Sequence, residues 1–88
     1  MGYSFEEKIR YNKERAKSGD LFSKGYIKGV SCYQSYAKED ERGKKAVKNE
    51  IALHKRLSKY RDMCTEDVKG FLCGVRDAAN ERKARQKR

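Results

Sequence analysis

Lys24-Gly25-Tyr26-Ile27-Lys28-Gly29-Val30 and Lys69-Gly70-Phe71-Leu72-Cys73-Gly74-Val75 share one pattern, K-G-aromatic-aliphatic-x-G-V, at a separation of 45 residues. Asp20 and Thr65, each able to cap a helix that begins just ahead of its copy, stand at the same separation. In each copy the glycines are four apart and so lie on one helical face. Glycine inside a helix costs about 1 kcal/mol relative to alanine, so two pairs of them call for a compensating interaction. Close approach of two helix backbones supplies one. The helices carrying the copies are therefore expected to cross at Gly25/Gly29 and Gly70/Gly74, with aromatic neighbours filling the flanks, either within one chain or between two copies. A second use of bare glycine backbone, contact with a phosphate, ranks below packing.

The sequence on either side of the repeat reads as helix throughout. Phe22, Tyr26, Gly29, Val30, Tyr33 and Ala37 recur at three- and four-residue steps, with no alternation of the strand type. Upstream, Ser4 and Glu7 form a capping box, Phe5, Ile9, Asn12 and Ala16 share a face, and Gly19 is a suitable stop. Between Lys38 and Gly43 the chain is polar, and Asp40 and Glu41 favour a fresh helix start. The absence of proline leaves one continuous helix open as well. A third helix is expected from about Lys44 to Arg61 with apolar positions Val47, Ile51, Leu53, Leu57, Tyr60 and Cys64. A fourth begins at Thr65 and carries Val68, Phe71, Leu72, Val75 and Ala79. The fold expected is all-α, a four-helix domain of two hairpins over residues 1–80, followed by a basic tail, 81–88, that frays because it buries nothing. A core this thin also makes a homodimer plausible.

The 88 residues allow one domain, and 36% of them are hydrophobic while 41% are charged. The 23 Lys and Arg against 13 Asp and Glu give a net charge of +10, which favours polyanionic partners. No run approaches the 18 or so apolar residues of a membrane span, and the N-terminus has no signal-peptide pattern, so a cytoplasmic protein without a membrane partner is expected. Cys32, Cys64 and Cys73 are odd in number and lack C-x-x-C spacing, which suits reduced thiols better than disulfides or a metal site. Nucleotide-binding glycine motifs and nucleophile elbows are missing, and the single histidine, His54, reads as a helix-face or interface residue. A non-enzymatic protein without a cofactor is the resulting expectation.

The basic residues fall into two groups. Lys44, Lys48, Lys55 and Lys59 share a face of the third helix with Lys45 beside them, and Arg82, Lys83 and Arg85 lead the basic C-terminus. Such a stripe can track a phosphate backbone, and Tyr33 and Tyr36 can stack bases or a nucleotide ring. The plainer roles are a solvated helix face and core tyrosines. No helix-turn-helix glycine is suitably placed, which argues against sequence-specific DNA reading. Gly70 to Gln86, Gly-Phe-Leu-Cys-Gly-Val-Arg-Asp-Ala-Ala-Asn-Glu-Arg-Lys-Ala-Arg-Gln, resembles the ends of small uncharacterised proteins of phages and mobile elements in Gram-positive bacteria, over about a fifth of the chain. That resemblance implies a phage accessory protein acting in a bacterial host by stoichiometric binding to host or defence components, as anti-CRISPR proteins do. It carries no site residues. Nucleic acid is the first partner expected and a nucleotide signal the second. The alternative is an inhibitor or adaptor that binds an acidic host protein.

Overall fold

In the computed structural model, which describes residues 3–86, four helices follow in order: α1 (Phe5–Lys17), α2 (Leu21–Tyr36), α3 (Glu41–Leu57) and α4 (Glu66–Gln86). The repeat decides how they assemble. A Cβ placed on Gly25 would stand 2.8 Å from the carbonyl carbon of Asp67, and one on Gly29 would stand 2.9 Å from that of Phe71. Reciprocally, a Cβ on Gly70 would lie 2.8 Å from the carbonyl carbon of Phe22 and one on Gly74 3.0 Å from that of Tyr26. Only hydrogen fits at these four positions. Partner numbers rise together along both helices, so α2 and α4 run parallel. Exchanging each residue for its repeat mate turns Gly25–Asp67 into Gly70–Phe22 and Gly29–Phe71 into Gly74–Tyr26. The crossing is thus a pseudo-two-fold contact between the two copies of the motif, made inside one chain.

Parallel neighbours cannot be joined by a short turn, and α3 supplies the return path. The buried face of α2 is Ser23, Gly25, Tyr26, Gly29 and Val30, and that of α4 is Val68, Gly70, Phe71, Gly74 and Ala78. The stripe expected on α4 is therefore turned: Leu72, Val75 and Ala79 are only half-buried, because the contact centres on the glycines. α1 buries just Asn12, whose Oδ1 accepts from Ser23 Oγ at 2.9 Å while its Nδ2 donates to the Lys8 carbonyl at 2.8 Å. Both members of this buried polar pair are satisfied, as burial requires.

Local chemistry sets the boundaries. Ser4 Oγ accepts the Glu7 amide at 3.2 Å, and Gly19, at φ +95°, takes the left-handed conformation that ends α1. Asp20 accepts the Ser23 amide at 3.0 Å and Asp40 the Gly43 amide at 2.9 Å, so α2 and α3 are separate helices joined through Ala37–Asp40. α3 begins and ends earlier than its periodicity suggests. Lys59, Tyr60 and Arg61 fall in the connection to α4, where the Ser58 hydroxyl bonds back to the Lys55 carbonyl at 2.7 Å. The inward face of α3 is Val47, Ile51, His54 and Leu57. Leu53 (44% exposed) and Tyr60 (57% exposed), both expected inside, point out. His54 lies seven residues from Val47, two turns along the same stripe, whereas Leu53 falls on another side. α4 stays helical through Gln86, where fraying from 81 was expected, and Glu81 is half-buried and paired with Arg85 at 3.1 Å. Lys87 and Arg88 lie outside the described residues.

The accessible surface is 6876 Å². A compact monomer of this mass would expose about 5,400 Å² by the usual size scaling. The excess reflects how little α1 and α3 bury.

The crossing sets its glycines apart from one elsewhere in the chain. Gly29→Ala and Gly74→Ala are expected to destabilise the fold by about 1–3 kcal/mol or more, since each new methyl meets backbone that cannot move alone. The Gly43→Ala methyl meets no opposing helix backbone but would stand 2.7 Å from the Glu39 Cβ, so the short connection must shift, and with the gain in helix propensity the net cost should stay at or below about 1 kcal/mol. Urea unfolding followed by circular dichroism separates the two classes; equal effects would contradict the packing described.

Candidate functional site

Parallel packing places the C-terminal ends of α2 and α4 side by side, and α3 starts from that same end after a short connection. Residues distant in sequence meet there. The Lys44 and Lys48 ammonium groups lie over the Tyr36 ring, 5.5 and 5.8 Å from its centroid. These are cation–π distances, and the four-residue spacing on α3 lets both lysines reach one ring. On the neighbouring side, Tyr33 lines a groove of about 340 Å³ between α1, α2 and α4, together with Phe5, Ala78, Glu81, Arg82 and Arg85. Tyr33 also abuts the core formed by Tyr26, Val30 and Ala78, so its ring is both a packing element and a groove wall.

Ion pairing engages only a minority of the cations. Lys8, Arg15, Lys17, Lys69 and Arg76 each have a carboxylate within 4.0 Å. Among the described residues, Lys44, Lys45, Lys48, Lys55, Lys59, Arg82 and Lys83 have none, and Arg85 alone of the basic residues singled out by sequence is paired, with Glu81. Arg10, Lys13, Lys24, Lys28, Lys38, Arg42, Arg56 and Arg61 also have no carboxylate within 4.0 Å among the described residues. The structure does not bring all of the basic residues singled out by sequence together. Lys55 lies roughly 16 Å along α3 from Lys44 at 1.5 Å per residue, and Lys59 is beyond the helix end. Gly25, Gly29, Gly70 and Gly74 are buried against the opposing helix, which closes the phosphate-contact use of their backbone.

Two polar arrangements escaped the sequence reading. Tyr26 Oη donates to Asp77 Oδ2 at 2.8 Å, with Lys8 Nζ 3.8 Å from that oxygen and Arg76 Nε 3.8 Å from the other. Burial pushes the Tyr26 phenol well above the ordinary tyrosine range, and the Asp77 bond and charge add to the shift. Tyr26 is thus a donor held in its neutral form. Its partner lies 51 residues away, and no local pattern links them. His54 stacks on Phe71, centroids 3.7 Å apart and planes 9° from parallel, while its Nδ1 sits 2.8 Å from the Glu50 carbonyl. Its spacing from Val47 was the available signal. Cys32, Cys64 and Cys73 are free and half-buried, and burial, with the charge of Glu50, pushes the Cys32 thiol up, away from the reactive thiolate. Among the described residues no three His, Cys, Asp or Glu side chains converge as metal ligands, and no helix is long and apolar enough to cross a membrane. What the surface offers chemically is unpaired positive charge beside aromatic rings.

No protein-family model, curated protein or solved structure matches the chain.

The Tyr26–Asp77 bond has a pH signature. The phenol is held protonated in the fold, so its stabilising effect is complete below the ordinary tyrosine pKa of about 10 and is lost as pH rises beyond it. Tyr26→Phe should cost about 1 kcal/mol at neutral pH. Above about pH 10 wild type should lose stability more steeply than the variant, since only wild type has this phenol to ionise. Urea denaturation at a series of alkaline pH values tests this, and parallel curves would contradict it.

Proposed function

We propose that this chain is a stoichiometric polyanion-binding protein whose ligand is nucleic acid. The observation that carries the reading is positive charge set beside aromatic rings: Lys44 and Lys48 lie over Tyr36, and Arg82 and Arg85 line one groove with Tyr33, on helix ends that the parallel packing brings to the same side. Of the acids at this end, Asp40 caps α3 and Glu81 holds Arg85, while Glu39 and Glu41 are exposed. A polyanion laid across this end gains attraction and releases its own counterions, the main source of sequence-independent affinity. Lys55 continues the path along α3. Contacts of this kind position a phosphate backbone and do not read base edges, so binding is general and not tuned to one sequence.

A second reading, an inhibitor or adaptor that docks on an acidic protein, draws support from the exposed apolar side chains Leu21, Leu53, Tyr60 and Met63. Both readings suit an accessory protein of the phage type, acting on a component of a bacterial host.

Affinity for a short nucleic acid, measured by fluorescence anisotropy, should fall steeply as salt rises from about 50 to 200 mM. Replacing Lys44 and Lys48 together with alanine should reduce the slope of log K against log salt by about 1.5–2, near 0.9 for each duplex phosphate and near 0.7 for each single-strand phosphate left without its lysine. Affinity that ignores salt, or no binding at the lowest salt, would remove the proposal and leave the protein-docking reading.

A further inference from the structure

We infer that the groove beside Tyr33 takes an unpaired base, so that the preferred ligand is single-stranded nucleic acid. The inference rests on the polyanion reading and adds what charge alone does not supply, a seat for a ring. The groove's volume, about 340 Å³, is at the lower end of the roughly 300–1,000 Å³ range of small-ligand sites. Its walls are aromatic where a base needs a face, at Phe5 and Tyr33, and small at Ala78, where a larger side chain would close it. Every base has a π-face, so stacking on tyrosine is tolerant of sequence.

The rim has complementary chemistry. Arg82 and Arg85 both line the groove, Arg82 unpaired and Arg85 bonded to Glu81, which lines it too, so guanidinium groups are at hand for the phosphate attached to a seated base. Guanidinium forks match phosphate oxygens in pairs. The Gln34 and Gln86 amides, on the same rim, present donors and acceptors that suit any base edge. One helical turn further along α2, Tyr36 lies under Lys44 and Lys48. Residues three apart on a helix are neighbours, about 5–6 Å between Cβ atoms. Two successive aromatic rings on α2 thus each have cations from a different helix, α4 for Tyr33 and α3 for Tyr36, an arrangement that fits successive nucleotides of an extended strand. In a duplex the bases are stacked and paired inside the helix and cannot enter the groove, so only the phosphates would be contacted.

The test compares 12-nucleotide oligo(dU) and oligo(U), which differ only in the sugar, with a 12-base-pair DNA duplex by fluorescence anisotropy at one salt concentration, with inorganic polyphosphate as a base-free competitor. At least one single strand is expected to bind about tenfold more tightly than the duplex, the tighter of the two naming the preferred sugar. Tyr33→Ala should lose about tenfold on that strand, the scale of one base stack, and leave duplex and polyphosphate binding unchanged, while Tyr33→Phe retains wild-type affinity. Because Tyr33 abuts the core, a readout on the unaltered protein accompanies the variants. Photocrosslinking of a 4-thio-substituted oligonucleotide should map to the peptide containing Tyr33. Equal affinity for strand and duplex, or crosslinks only at other peptides, would overturn the inference while salt-dependent polyphosphate binding kept the charge reading alive. Failure of every polyanion to bind would remove both.

Discussion

The contact on which the rest of this structure depends is backbone against backbone, where Gly25 and Gly29 meet Gly70 and Gly74 and no Cβ fits between the helices. It is an expensive solution in helix propensity, and it is used twice. What it provides is an axis. Close approach lets the two backbones pack directly against each other, a contact that asks for no large apolar side chains. The remaining helices then attach to a fixed pair through a few specific groups: α1 through the Asn12–Ser23 hydrogen bond, α3 through Val47 and the His54–Phe71 stack. The parallel sense of the axis follows from the repeat, because two copies of one motif related by a pseudo-two-fold along their length must point the same way.

That sense has consequences for charge. In an antiparallel hairpin the C-terminal ends of α2 and α4 would lie at opposite poles. Here they coincide, and the start of α3 joins them, so Tyr33, Tyr36, Lys44, Lys48, Arg82 and Arg85 share one end of the molecule although 52 residues separate the first from the last. Helix C-termini carry partial negative charge and favour nearby cations, which suits Lys83 and Arg85 in the last turn of α4, while Lys44, in the first turn of α3, draws no such support. Lys44, Lys48 and Arg82 have no carboxylate within 4.0 Å among the described residues, so they remain available to an external anion.

Much of the fold was legible because its decisive contact imposes a requirement on residue type. Only glycine satisfies it, and glycine is conspicuous at four-residue spacing. The caps at Ser4 and Asp20 were legible for the same reason, a side-chain oxygen at a fixed place relative to a backbone amide, whereas Asp40 was read only as an acid near a helix start and caps α3 three residues earlier than expected. The inward face of α3 was not, because a helix this charged has too few apolar residues to outvote one another: Leu53 looked like core and His54 did not, yet His54 has a ring to lay flat on Phe71. Lys59 was grouped with a helical stripe by spacing, although the helix ends before it. The two lysines over Tyr36 were visible as members of a stripe and the tyrosine as a possible stacking ring. That they belong together depends on tertiary packing, as does the Tyr26–Asp77 bond.

The measurement closest to the central claim, that the parallel crossing builds a nucleic-acid-binding end, is a residue-resolved titration of nitrogen-15-labelled protein with a short oligonucleotide at low salt. Amide shifts should concentrate in residues 33–37, 44–48 and 81–86, segments that only the parallel arrangement unites, and be small in the connection between α3 and α4. Shifts centred on that connection, or none at saturating oligonucleotide, would contradict the account.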